Sequence, residues 1–367
     1  MASNFKPKRS PTISSQRTVR QPRVKQADLP VPPFIKLVRL MICGLGINAI
    51  VGTTISVVNP PHQTIATKKV APVIVNREIA NLKLTKPSLK LSQQLQAKLP
   101  QTTSSGTAKK SELDASYIFV EIDSGEYSEL GSDRVLPAAS TIKLPILIAL
   151  FQDIDAQKIK LTEQLTITDR TIAGGSGDLR NKKPGSQVSV LVAATKMMTI
   201  SDNTATNILI DRLGGKAALN QRFRTWGLKV TTINQPLPDL AGTNTTTAKE
   251  LTRSILAIQR GKIVSESSRA QIINMMSHTL RNTMLPKGLG AGAKIAHKTG
   301  DIGTLVADVG SIESPSGKSY LAAVLVKRPH NSPAGPELIR QMSKVVYNYF
   351  EPAKKEMGSL GDREMGR

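Results

Sequence analysis

Strand-like runs stand at both ends of the folded part of this chain, and helix-period runs fill the middle. Tyr117-Ile118-Phe119-Val120-Glu121-Ile122 is β-rich and is followed by Asp123-Ser124-Gly125, a turn signal, with Glu126 to Leu130 as its hairpin partner. From Ser140 to about Leu285 the apolar spacing turns helical: Leu144, Ile148 and Phe151, then Val188, Leu191, Val192 and Met198, then Ala205, Ile208, Leu209 and Leu213. Thr247-x-x-Glu250 ahead of Leu251, Ile255 and Ile258 reads as a capping box. Strand runs return at 294–298, 305–312 and 320–327, and an amphipathic helix closes over 337–350. Hairpins build antiparallel sheets. The simplest assembly is one sheet made from both ends of the chain, with an all-helical lobe inserted. The fold class is therefore α/β (α+β), an antiparallel sheet flanked by helices, and a cleft between the lobes is the natural place for a site.

Composition narrows the chemistry. Of 367 residues, 39% are hydrophobic and 21% charged, enough for a packed core, while aromatics are only 3%, so that core must be aliphatic and methionine-rich. The lone Cys43 excludes an intramolecular disulfide and a thiolate zinc cluster. Four histidines are too scattered for a metal site, and no cofactor is expected.

The net charge of +23 is unevenly placed. Residues 1–39 carry nine Lys/Arg against one acid, Asp28, and read as a disordered basic arm. Leu40 to Val58 is uncharged and ends at Asn59-Pro60-Pro61, near the minimum for a helix that crosses the hydrocarbon. Basic residues on one flank place that flank in the cytoplasm, so the rest lies outside. A cleaved signal peptide is the competing reading, but no A-x-A site follows. The expected organisation is arm 1–39, transmembrane anchor 40–58, linker 59–85, folded domain 86–352 and frayed tail 353–367. The expected location is the inner membrane, single-pass, with the domain periplasmic.

Three motifs fall at the seams of this plan. Ser140-Thr141-Ile142-Lys143 opens the first helix of the lobe, Ser201-Asp202-Asn203 opens another, and Lys298-Thr299-Gly300 ends a returning strand. Ser140 and Lys143, three apart, share a helix face. A serine hydroxyl needs a base to become a nucleophile, and Lys143 serves if a nearby cation or burial lowers its pKa. Ser201 can relay a proton to a leaving nitrogen, and Asn203 can hold a substrate amide. Lys298 offers charge to an anionic substrate, and Thr299 a hydrogen bond to its carboxylate. Gly300 keeps the strand edge bare for a substrate backbone.

This trio resembles that of the penicillin-recognising serine enzymes, most closely the class A β-lactamases, over roughly residues 85–350. Ser140-Thr141-Ile142-Lys143-Leu144-Pro145, Ser201 to Asn207 and Gly214-Gly215 carry the resemblance. It implies a sheet domain beside a helical one, Ser140 as the acylated nucleophile, and the N–H groups of Ser140 and Asp301 as oxyanion hole. Two departures stand out. Class A enzymes carry a water-activating glutamate in a Glu-Pro-x-Leu-Asn loop. Here the stretch is Gln235-Pro236-Leu237-Pro238-Asp239-Leu240-Ala241-Gly242, with Leu237 in the glutamate's place and Asp239 the nearest acid, a candidate replacement base. An arginine usual after the Lys-Thr-Gly strand is missing, with Gly303 near that position.

The leading expectation is a membrane-anchored serine hydrolase, a monomer, opening β-lactams through an acyl-enzyme that is released slowly. A penicillin-binding D-Ala-D-Ala carboxypeptidase or transpeptidase acting on peptidoglycan stem peptides is the alternative. An idle tethered protein whose arm meets nucleic acid or anionic lipid is a distant third. His297 reads as a bystander on the opposite strand face. Gly174-Gly175-Ser176-Gly177 reads as a surface loop or a cleft wall, and Arg180, Lys182 and Lys183 as a solvated face.

Overall fold

The computed structural model describes residues 82, 84–100 and 113–351. The basic arm, the anchor, the linker up to residue 81 and the tail lie outside the described residues. None of the described helices is long and apolar enough to cross a membrane.

Among the described residues, ten strands and eight α-helices follow one another. They are β1 (Lys86–Pro87), α1 (Leu89–Gln96), β2 (Asp114–Glu121), β3 (Glu126–Leu130), β4 (Leu136–Pro137), α2 (Lys143–Asp155), β5 (Gln164–Thr166) and β6 (Gln187–Ser189). Then come α3 (Val190–Thr199), α4 (Asn203–Arg212), α5 (Gly215–Thr225), β7 (Thr245–Thr246), α6 (Ala248–Gln259) and α7 (Glu266–Ser277). The returning strands β8 (Lys294–Asp301), β9 (Leu305–Glu313) and β10 (Ser319–Lys327) precede α8 (Ala334–Phe350).

The main sheet has the order β1-β3-β2-β10-β9-β8. Its central joint pairs β2 with β10, Tyr320 opposite Glu121 through Lys327 opposite Asp114, so the two ends of the domain meet as expected. The one parallel pair, β1 with β3, departs from the purely antiparallel expectation. Apolar side chains leave both faces of β10, because both faces are covered. Tyr320, Ala322, Val324 and Val326 pack with α1 and α8, while Leu321, Ala323 and Leu325 pack toward α6 and the helical lobe.

Helix α2 is the axis of the lobe. Leu144 through Phe151 are all fully buried, so it has no polar face. A helix that is apolar all round belongs inside a domain. Asp202 is the N-cap of α4, its side chain accepting the Ala205 N–H at 2.8 Å. Thr247 caps α6 as predicted, but Glu250 does not close the box. Its carboxylate is buried and accepts the N–H groups of Lys229, Val230 and Thr231, stitching that loop to the helix.

Candidate active site

Strand β8 is an edge strand, and the free side of its end faces the start of α2. Ser140 lies in a 3-10 turn, Ala139–Ile142, so α2 proper begins at Lys143. A 3-10 turn eclipses residues i and i+3, which keeps Ser140 and Lys143 on one face. Ala139 (φ 46°) and Ser201 (φ 57°) are both left-handed, a conformation costing L-residues about 1–2 kcal/mol. Such strain concentrates at functional sites, and no sequence pattern announces it here. Gly300 is required for a different reason from the one expected. A Cβ there would stand 3.0 Å from Ala139 Cβ and 3.2 Å from Ser140 N, so the missing side chain lets the nucleophile's turn approach the strand.

Ser140, Ser201, Lys298, Thr299 and Asp301 line a cleft of about 340 Å³ together with Ser176, Thr199, Ile200, Thr279, Leu280 and Arg281. Lys143 lies behind Ser201 and is fully buried. Its ammonium donates to Ser201 O (2.7 Å), Ser201 Oγ (3.0 Å) and Asn203 Oδ1 (2.8 Å). Lys298 donates to the same Ser201 Oγ at 3.1 Å and to Thr299 O at 2.8 Å. Ser201 therefore bridges two lysines, the arrangement a proton relay needs. Burial first, then the charge of Lys298, pushes Lys143 well below its ordinary value, with Asp202 opposing. Burial also lowers Lys298, to about 7, Asp308 opposing and Arg281 reinforcing. Two ammonium groups sharing one hydroxyl away from water favour a state in which one is neutral.

That pairing carries a pH prediction. Acylation requires neutral Lys143 as base and charged Lys298 as anion receptor. Its second-order rate should climb as Lys143 loses its proton and decline as Lys298 loses its own, the alkaline limb lying near 7. A pH profile of acylation checks this, and a flat profile through the neutral range would exclude the two-lysine assignment.

The expected oxyanion hole has the right orientation. Ile302 N–H bonds back to Leu305 O at 3.1 Å, and the alternation of an antiparallel ladder then turns residues 301, 299 and 297 outward. The carbonyls of His297 and Thr299 confirm it, since they accept from Thr279 Oγ1 and Lys298 Nζ rather than from β9. Asp301 N–H thus faces the cleft beside Ser140 N–H. The Asp301 carboxylate is held away by Arg328 (2.6 Å), Arg281 (3.0 Å) and Gly303 N–H (2.9 Å).

Asn203 stands behind the cleft wall rather than in it. It is buried, with Oδ1 committed to Lys143 and Nδ2 donating to Gly174 O at 2.9 Å. In this structure it orients the base instead of presenting an amide to substrate. The Gly174–Gly177 loop resolves as a cleft wall, with Ser176 at the cleft and its carbonyl accepting Asn203 N–H at 3.0 Å.

Asp239 is not placed as a base. Its Oδ1 accepts from Gln235 Nε2 and from Thr243 N–H (3.0 Å), and its Oδ2 from Asn244 N–H (2.5 Å). It is buried and absent from the cleft lining, an acid that staples its own loop. Leu237, the residue in the glutamate's place, is buried in the apolar core. Its N–H and C=O are clamped by Asn207 at 2.9 and 2.8 Å, one helical turn along α4 from Asn203, and its side chain is 5% exposed. His297 is confirmed on the opposite face, bonded to Asp308.

Sequence reasoning missed Arg281. It lines the cleft next to Thr299 and is half-exposed, the right place for a cation that meets a substrate carboxylate. No motif marks it, because its place is set by the turn after α7. The neighbouring Leu280 is 71% exposed at the cleft mouth.

A serine at a helix start beside a strained Ala139, two buried lysines meeting at a second, strained serine, and an edge strand with outward N–H groups define an active-serine hydrolase of the class A β-lactamase type. The model of the beta-lactamase enzyme family matches residues 91–350, and the chain belongs to that family. Beta-lactamase BRO-1 of Moraxella catarrhalis is 29% identical over 244 residues, 62% of this chain and 77% of its own. The structure of PBP-A superposes with a TM-score of 0.70 at 48% identity, covering 74% of this chain and 99% of that one. A leucine-to-glutamate mutant of PBP-A, solved as an acyl-enzyme complex with penicillin G, gives a TM-score of 0.69 at 49% identity, with coverage of 72% and 97%.

Proposed function

We propose that this enzyme opens β-lactam amide bonds through an acyl-enzyme on Ser140 and releases the product slowly. Lys143, neutral, takes the Ser140 proton as Oγ attacks the carbonyl. The N–H groups of Ser140 and Asp301 receive the developing oxyanion. Ser201, hydrogen-bonded to both lysines, passes the proton that Lys143 took on to the departing nitrogen, while the Lys298 ammonium, Thr299 and Arg281 receive the carboxylate. The observation that carries slow release is the lack, among the described residues, of a free carboxylate in the cleft lining: Asp301 is tied to Arg328 and Arg281, Asp239 staples its own loop, and Leu237, in the glutamate's place, is apolar and buried. The same observation favours a second reading, a D-Ala-D-Ala carboxypeptidase or transpeptidase on peptidoglycan, whose acyl-enzyme waits for an amine. PBP-A, which takes penicillin G as an acyl group in its mutant form, supports either. An intact trio at a formed cleft argues against an idle binding protein.

A chromogenic cephalosporin separates the readings. A burst followed by slow steady turnover fits the first, and a single stoichiometric burst fits the second. No burst and no labelling by a fluorescent penicillin would remove both.

We also propose that Leu40–Val58 anchors the chain in the inner membrane with the catalytic domain outside, on the ground of its uncharged length after a basic arm. The full chain should then sediment with membranes and resist alkaline carbonate. Release by carbonate would show that the segment does not span.

A further inference from the structure

Behind the cleft wall lies a buried ionisable pair that the chemistry above does not use. His297 Nδ1 and Asp308 Oδ1 are 2.8 Å apart, with side chains 2% and 0% exposed. Lys298 and Gly300 face the helical lobe, so the alternation of β8 puts His297 on the other face. Gly310 sits opposite His297 in the ladder, and a Cβ there would come within 2.7 Å of His297 Cβ, so the glycine makes room for the ring. Packed apolar groups of similar volume fill such a position at least as stably as buried polar groups, which asks for another reason for the pair.

The reason lies in what the two residues hold. The His297 carbonyl accepts Thr279 Oγ1 at 2.7 Å, and Asp308 Oδ2 accepts Leu285 N–H at 3.0 Å. The segment between, which carries Leu280 and Arg281 to the cleft, is thus fastened at one end to the His297 backbone and at the other to the Asp308 carboxylate, which His297 Nδ1 holds, with Leu280 N–H adding a tie to Thr199 O at 2.9 Å. Asp308 also pairs with Thr299 across the ladder. We propose that His297 and Asp308 are positioning residues that set Arg281 and the Lys298 ammonium at the spacing that receives a substrate carboxylate. This rests on the reading that β-lactams acylate Ser140. The charged groups facing Lys298 are Asp308 from β9, Arg281 from the segment after α7 and, across Ser201 Oγ, Lys143 from α2.

The test uses the full chain with benzylpenicillin and its methyl ester, which lacks the anion. Asp308→Asn keeps an acceptor for Leu285 N–H but removes the charge. It should raise the half-saturating benzylpenicillin concentration for acylation about tenfold, with the limiting rate constant nearly unchanged. The ester should show no such rise. The alkaline limb of the pH profile should move to lower pH, because Asp308 no longer helps Lys298 keep its proton. His297→Asn, whose Nδ2 can replace Nδ1 as donor, should stay near wild type where His297→Ala does not, and this pair carries the test if Asp308→Asn fails to fold. Equal half-saturation in Asp308→Asn and wild type, an equal rise with the ester, or His297→Ala matching His297→Asn would overturn the proposal. A wild-type chain that benzylpenicillin does not acylate would overturn the functional reading, and this one with it.

Discussion

Ser140→Ala is expected to abolish covalent labelling by penicillin while the domain stays folded. The nucleophile's Oγ makes no hydrogen bond among the described residues, so its removal leaves no buried group without a partner, and the stability change should be within about 0.5 kcal/mol. Ser201, the cleft hydroxyl that touches lysines, is fixed between Lys143 and Lys298 and serves them as a relay. Residual catalysis from the oxyanion donors would not produce an adduct, because covalent capture needs the attacking oxygen itself. Intact-mass spectrometry of the drug-treated variant, with a thermal melt beside it, reads both halves of the prediction. An adduct of unchanged yield would move the nucleophile elsewhere.

Leu237→Glu should speed deacylation and leave the acylation burst nearly unaltered. Absence of a positioned general base typically costs about 10²–10⁴-fold, and the cleft lining contains no free carboxylate. Asp301 is tied to Arg328 and Arg281, and Asp239 is consumed by its own loop. Position 237 is held firmly, since Asn207 bonds its backbone at both ends. A carboxylate introduced there takes the place in the loop where the class A pattern carries its water-activating glutamate. The slow phase should quicken by at least about tenfold, toward the range such a base supplies. Stopped-flow with a chromogenic cephalosporin separates the two phases. A wild-type enzyme that turns over rapidly with no burst would sink the idea, and so would a folded Leu237→Glu variant with an unaltered slow phase.

The sequence by itself determined the order of elements and the reactive groups. Strand period at both ends and helix period between them are local signals, legible because each face of a strand or helix must bury its own apolar residues. The hairpin at residues 114–130, the strands β8 to β10 and the closing helix all fall where those periods put them. Ser140, Lys143, Ser201 and Lys298 were legible as three short motifs, since each motif keeps its residues within a turn or a strand end. What the tertiary structure alone decided was how those groups are used. Asp239 and Asn203 sit at positions whose chemistry the sequence leaves open, and only their hydrogen-bond partners turn one into a loop staple and the other into a holder of the base. Glu250 looks like half of a capping box until residues 229–231 arrive from elsewhere to claim its carboxylate. Arg281 carries no motif at all, because its place in the cleft is fixed by ties to Thr199, His297 and Asp308, partners distant in the chain. Local periodicity records what a segment buries. Contacts between segments far apart in sequence leave no period, so the lowered lysine pKa values, the strained Ser201 and the Arg281 wall exist only once the sheet has closed around the lobe.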